Sequence, residues 1–82
     1  MPTIMRIGGL RVVVYLNDHP PEHVHVIGGG GEAVFNLNCP DGPVAYRESQ
    51  GMSAAQLRRI AAQLNANVES ACLAWEEIHG DH

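Results

Sequence analysis

Lysine is absent from the chain, and its five basic residues, Arg6, Arg11, Arg47, Arg58 and Arg59, are dispersed among nine acidic ones. Nucleic-acid binders take most of their affinity from neutralising phosphates, normally with a basic stripe. A formal net charge of -4 with no such stripe therefore disfavours direct nucleic-acid binding. No apolar run approaches the roughly 20 residues a membrane-spanning helix requires. The opening MPTIMRIGGL has no apolar stretch of the secretory type. Cysteine is limited to Cys39, in a turn-like segment, and Cys72, in a helix-like one. The two could form one bridge, but their unlike contexts and the missing secretion signal predict a cytoplasmic protein with free thiols. Aromatic residues are equally few: Tyr15, Phe35, Tyr46 and Trp75. With 82 residues the chain holds one domain, 1–82. A domain of that size buries only about 60–65% of its unfolded surface, so its core is thin and oligomerisation is in view.

Glycine pairs and runs mark the turns. Residues 3–7 and 10–16 are β-prone and separated by Gly8-Gly9, which reads as a hairpin. Asn17-Asp18-His19-Pro20-Pro21-Glu22 is a turn by composition, because Asn and Asp bond their own backbone and the prolines remove donors. His23-Val24-His25-Val26-Ile27 alternates as a strand does. Four glycines, 28–31, connect it to residues 32–37. They lack the Lys-Ser/Thr ending and following helix of a phosphate loop. A weaker run at 44–48 is a fifth strand or an edge segment.

Residues 53–79 read as one long helix. Ser53 and Gln56 form an S-x-x-Q capping box, and Gly80 is a stop. Leu57, Ala61, Leu64, Val68, Ala71, Trp75 and Ile78 recur in an alternating four-three seam. Such a helix is about 37 Å long at 1.5 Å per residue. Strands of five to seven residues reach about 17–23 Å. The overhang predicts self-association through Leu57, Leu64, Val68, Trp75 and Ile78. The alternative is a helix broken near Asn65 or Asn67, with both halves packed locally.

The only dense group of functional side chains is the stretch from Asp18 to His25. On a strand His23 and His25 share one face, about 6–7 Å apart, and the preceding turn can fold Asp18 or His19 towards them. Imidazoles with a carboxylate suit zinc, nickel, iron or manganese. Asp18, His19, His23 and His25 are thus candidate ligands of a divalent metal, zinc or nickel, and His19, His23 and His25 are candidate catalytic groups. The plain structural alternative is a stiff polar turn followed by the solvent face of a half-buried strand. His79 and His82 lie near the C-terminus without a pattern.

The start Met1-Pro2-Thr3-Ile4, the strand ending in Tyr15, and the stretch Asn17 to Val26 resemble a bacterial family, domain-of-unknown-function family 4160. Asp18, His19, Pro20, Pro21, His23 and His25 match its Asp-His-Pro-Pro-x-His-x-His stretch, and Trp75 matches its late Trp. Glu22 stands where the family has a third Pro, and Asn67 where it has a His. The resemblance implies a cytoplasmic bacterial protein of small operons, sometimes grouped with toxin–antitoxin components, and no established reaction.

The fold class is then α+β, an antiparallel sheet of four or five strands in residues 1–48 with one long C-terminal helix packed on one face. The leading functional expectation is a small protein-binding module, an element of a toxin–antitoxin-like pair, whose acidic balance suits a basic protein partner from the same operon or a nucleic-acid-mimicking inhibitory role. The rival is a small His- or metal-dependent enzyme, nuclease-like, built on His19, His23 and His25. Convergence of these groups in a concave site favours the enzyme; splaying into solvent removes it.

Overall fold

The computed structural model describes residues 3–80. Five strands run β1 (Thr3–Ile7), β2 (Leu10–Val13), β3 (His23–Gly28), β4 (Gly31–Asn36) and β5 (Ala45–Gln50). They form a single antiparallel meander in that order. The Gly8-Gly9 turn joins β1 to β2, with Gly8 at φ 59°, a conformation that costs glycine nothing. At Gly31 the reason for glycine is space. A Cβ there would stand 2.6 Å from the Gly51 carbonyl oxygen, so no other residue lets the chain leaving β5 cross so close to β4.

Alternation divides the sheet into two faces. Val12 pairs with Val26 and Val26 with Ala33, while Val24 pairs with Phe35. These residues, with Val14 and Leu37, form the core together with Ile60, Leu64, Ala71 and Trp75 of the helices. On the opposite face Val13, His25 and Val34 lie side by side in register.

The single long helix is corrected to two of similar length, α1 (Ala54–Ala66) and α2 (Val68–His79). Asn67 makes the break. Its side-chain Nδ2 donates to the Gln63 carbonyl at 2.9 Å. That carbonyl is the one its own backbone N–H would take in a continuing α-helix, and the N–H turns instead to Leu64 at 3.0 Å. α2 then starts with Ala71 N–H donating to the Asn67 carbonyl. Each helix is about 18–20 Å long at 1.5 Å per residue, which matches the strands. The overhang that predicted self-association is gone. Leu64, Val68 and Trp75 are buried within the chain's own fold, and Leu57 and Ile78 pack against its core. The capping box forms as expected, Ser53 Oγ accepting from Gln56 N–H and Gln56 Oε1 from Ser53 N–H, both at 3.1 Å.

The free-thiol expectation is also corrected: Cys39 and Cys72 form a disulfide. The loop after β4 folds over the helices. Val44 N–H donates to Asn65 Oδ1 at 2.8 Å, and the same loop brings the Cys39 and Cys72 Cα atoms to 5.8 Å, a normal separation for a bridge. No described helix is long and apolar enough to cross a membrane. His82, Met1 and Pro2 lie outside the described residues.

Candidate metal centre

The turn before β3 delivers Asp18 to the sheet. Asp18 N–H donates to the Tyr15 carbonyl at 3.1 Å, and Tyr15 N–H donates to Asp18 Oδ2 at 3.0 Å. This reciprocal closure fixes the carboxylate over the face that carries His23 and His25. The strand does the rest: Val24 and Val26 enter the core, so the two imidazoles share the other side, with ring centroids 5.2 Å apart.

Both imidazoles aim Nε2 at the same carboxylate, His23 at 3.3 Å from Oδ1 and His25 at 3.4 Å from Oδ2. Both are held from behind through Nδ1. His23 Nδ1 lies 2.8 Å from the Pro21 carbonyl oxygen, and His25 Nδ1 lies 3.1 Å from Glu32 Oε2. These partners only accept, and so does the Asp18 carboxylate that faces both Nε2 atoms, so a neutral imidazole that gives its one proton to the partner behind Nδ1 has none left for Asp18. A neutral imidazole then turns a bare Nε2 lone pair towards Asp18. Two lone pairs and a carboxylate converge, and they repel unless a cation lies among them. Two additional protons or one metal ion supply it.

The dimensions suit a metal. Zinc binds nitrogen and oxygen at about 2.0–2.2 Å in tetrahedral sites, which sets neighbouring ligand atoms about 3.4 Å apart. The observed separations are 3.3 and 3.4 Å, longer than a good hydrogen bond. One ligand atom from each of Asp18, His23 and His25 lies within 4.8 Å of the others. The anchored Nδ1 atoms are the outer support that metal-ligating histidines characteristically carry. Desolvation adds to the case: the side chains are 12%, 8% and 15% exposed for Asp18, His23 and His25. Asn36, directly across from His23 in the β3–β4 pairing, has a buried Oδ1 with no hydrogen-bond partner among the described residues. It is a spare acceptor beside the same cluster.

A cleft of about 850 Å³ borders this centre at Asp18, which lines it, while His23 and His25 lie behind its wall. Trp75, His79, Leu73 and the Cys39–Cys72 bridge form other parts of its wall. A continuous line of rings connects cleft and centre. Tyr15 meets His25 at 4.5 Å, His23 meets Trp75 at 5.3 Å, and Trp75 meets His79 at 4.1 Å.

The structure thus brings together Asp18, His23 and His25 of the four candidate ligands. His19 is exposed on the turn and lines the cleft, outside the three-residue group. The cluster itself is largely buried rather than an exposed patch. Sequence reasoning missed Glu32, which lies diagonally across the hairpin from His25, at the residue paired with Ile27. Counting the register back from the glycine turn would have found it. It also passed over His79, which stacks on Trp75 and lines the cleft.

The match to known families covers this region. Residues 9–76 match the family described as domain of unknown function (DUF4160). The chain belongs to that family. No curated protein and no solved structure matches it significantly. The DUF4160 match spans both the Asp18–His25 stretch and Trp75, so the cluster and all of the cleft wall but His79 and Gly80 lie within the matched residues.

Proposed function

We propose that this DUF4160 protein is a small metal-dependent enzyme, with a divalent ion held by Asp18, His23 and His25. One observation carries the reading. Both imidazoles have Nδ1 occupied by an acceptor-only partner and Nε2 directed at a single carboxylate. Three protein ligands leave coordination positions open, as catalytic zinc centres do and structural ones do not. Asp18 belongs to both the ligand group and the cleft wall, which gives a substrate access to such an ion. Zinc or nickel fits the donor set. An ion so placed polarises a substrate oxygen or activates a bound water for hydrolysis. The cleft is acidic, so a phosphodiester is a poor substrate and the nuclease form of the reading is the weaker one.

Isothermal titration with zinc and with nickel at neutral pH tests this. Binding with a Kd below about 1 μM, lost in the combined His23→Ala and His25→Ala variant, is expected. A Kd weaker than about 100 μM, or one unchanged by the double substitution, overturns it.

The second reading is the protein-binding module, a component of a toxin–antitoxin-like pair in a bacterial cytoplasm. It is favoured by the acidic and partly apolar cleft, which needs no ion to bind a partner. Self-association is the same kind of proposal, with the seam from Leu57 to Ile78 now occupied by the chain's own core.

A further inference from the structure

The carboxylates of the cleft come from two parts of the chain, Asp18 and Glu22 from the segment before β3 and Glu69 and Glu76 from α2; His19 and His79 line it as well, and none of the five arginines does. Between Glu69 and Glu76 the helix presents Leu73, which is 61% exposed. Among the described residues the other exposed large hydrophobics are Leu16 and Tyr46. Pro20 and Pro40 add apolar surface to the same cleft. Residues 69, 73 and 76 share one helix face at i, i+4 and i+7 spacing. The two carboxylates are therefore about 10 Å apart along the axis, with a leucine between them.

We propose that this cleft receives a basic segment of a partner protein, seated by one apolar side chain against Leu73 and by cationic side chains on Glu69 and Glu76. A polyamine has only slender methylene links between its charges and no branched side chain to cover Leu73, and a nucleic acid has the wrong sign. An extended chain with basic, apolar and basic residues at alternate positions puts all three on one side. Its two cations are about 13 Å apart at the backbone, within reach of both glutamates through flexible side chains. The inference stands on the cleft alone and holds without a bound ion. Under the metal-dependent reading it names the substrate class.

The test uses a fluorescein-labelled Arg-Ala-Leu-Ala-Arg peptide and fluorescence anisotropy at low salt, where exposed charges are least screened. Saturable binding is expected, weakened about tenfold or more by Glu69→Gln combined with Glu76→Gln, and weakened also by Leu73→Ala. Glu77→Gln, exposed and outside the cleft, leaves it unchanged. A peptide with Glu in place of both Arg does not bind. Peptide binding by the unaltered chain persists in EDTA, where no metal is bound, so the two readings fail separately. Three results overturn the proposal: no binding at millimolar peptide, equal binding by the Glu69→Gln and Glu76→Gln variant, or competition by spermidine with no dependence on Leu73.

Discussion

Strand β3 serves two regions with opposite chemistry. On one side Val24 and Val26 are fully buried among apolar neighbours, and nothing about them depends on charge or direction. On the other, one residue away each time, His23 and His25 are held by directed contacts to Pro21, Glu32 and Asp18. The valine face contributes stability through area removed from water, which tolerates exchange of one apolar shape for another. The histidine face gathers lone pairs around a carboxylate, an arrangement that adds little stability by itself and becomes useful when a cation completes it. A two-residue period lets one short strand do both, and a one-residue slip in register would exchange the faces and destroy both.

The sharpest way to break this contrast is through the valine side. Phe35, paired with Val24, is 2% exposed. Phe35→Ala should lower stability by about 4 kcal/mol through lost burial and the cavity left behind. A urea titration reads this, and a loss below about 1 kcal/mol means the core does not lie where we place it. Next comes the bridge that holds the cleft wall. Cys39→Ser with Cys72→Ser removes a link between residues 33 apart in sequence. Chain entropy puts the cost at about 3–4 kcal/mol. Equal thermal stability of the variant and the oxidised chain would contradict it.

On the histidine side the expected stability effects are smaller and the binding effects larger. Asp18→Ala loses the hydrogen bond from Tyr15 N–H, worth on the order of 1 kcal/mol. It should also weaken zinc about 100-fold or more by removing the only anionic ligand. A variant that melts lower yet binds zinc as before would make Asp18 a turn residue and nothing else. Glu32→Gln should leave stability within about 0.5 kcal/mol, since Glu32 is 40% exposed on its side chain. Its effect should be a loss of about 10–100-fold in zinc affinity, because it orients His25 from outside. Unchanged affinity would detach Glu32 from the centre.

Much of this contrast was legible in the residues. The alternation of His and Val after a proline turn placed the imidazoles together on one face of the strand. Gly8-Gly9 and the four-glycine run placed both hairpins, and Ser53 with Gln56 placed the helix start. What escaped was set by competition or by distance. At Asn67 an amide side chain and the backbone compete for the Gln63 carbonyl; the sequence offered a break near Asn65 or Asn67 only as the alternative, because the regular apolar seam runs through it. The Cys39–Cys72 bond depends on a loop pinned by Asn65, which no local pattern encodes. Glu32 enters only through cross-strand register. The cleft needs α2 placed beside the Asp18 turn, a tertiary fact.

The central claim is that both imidazoles hold a proton on Nδ1 and offer Nε2 to one ion together with Asp18. Long-range proton–nitrogen correlation spectra of the histidine rings read this directly, before and after zinc is added. The account predicts the Nδ1–H form for both His23 and His25, with both Nε2 resonances shifting together and saturating at one equivalent of zinc. An Nε2–H form in either ring, or zinc shifts confined to His19 and His79, would contradict it.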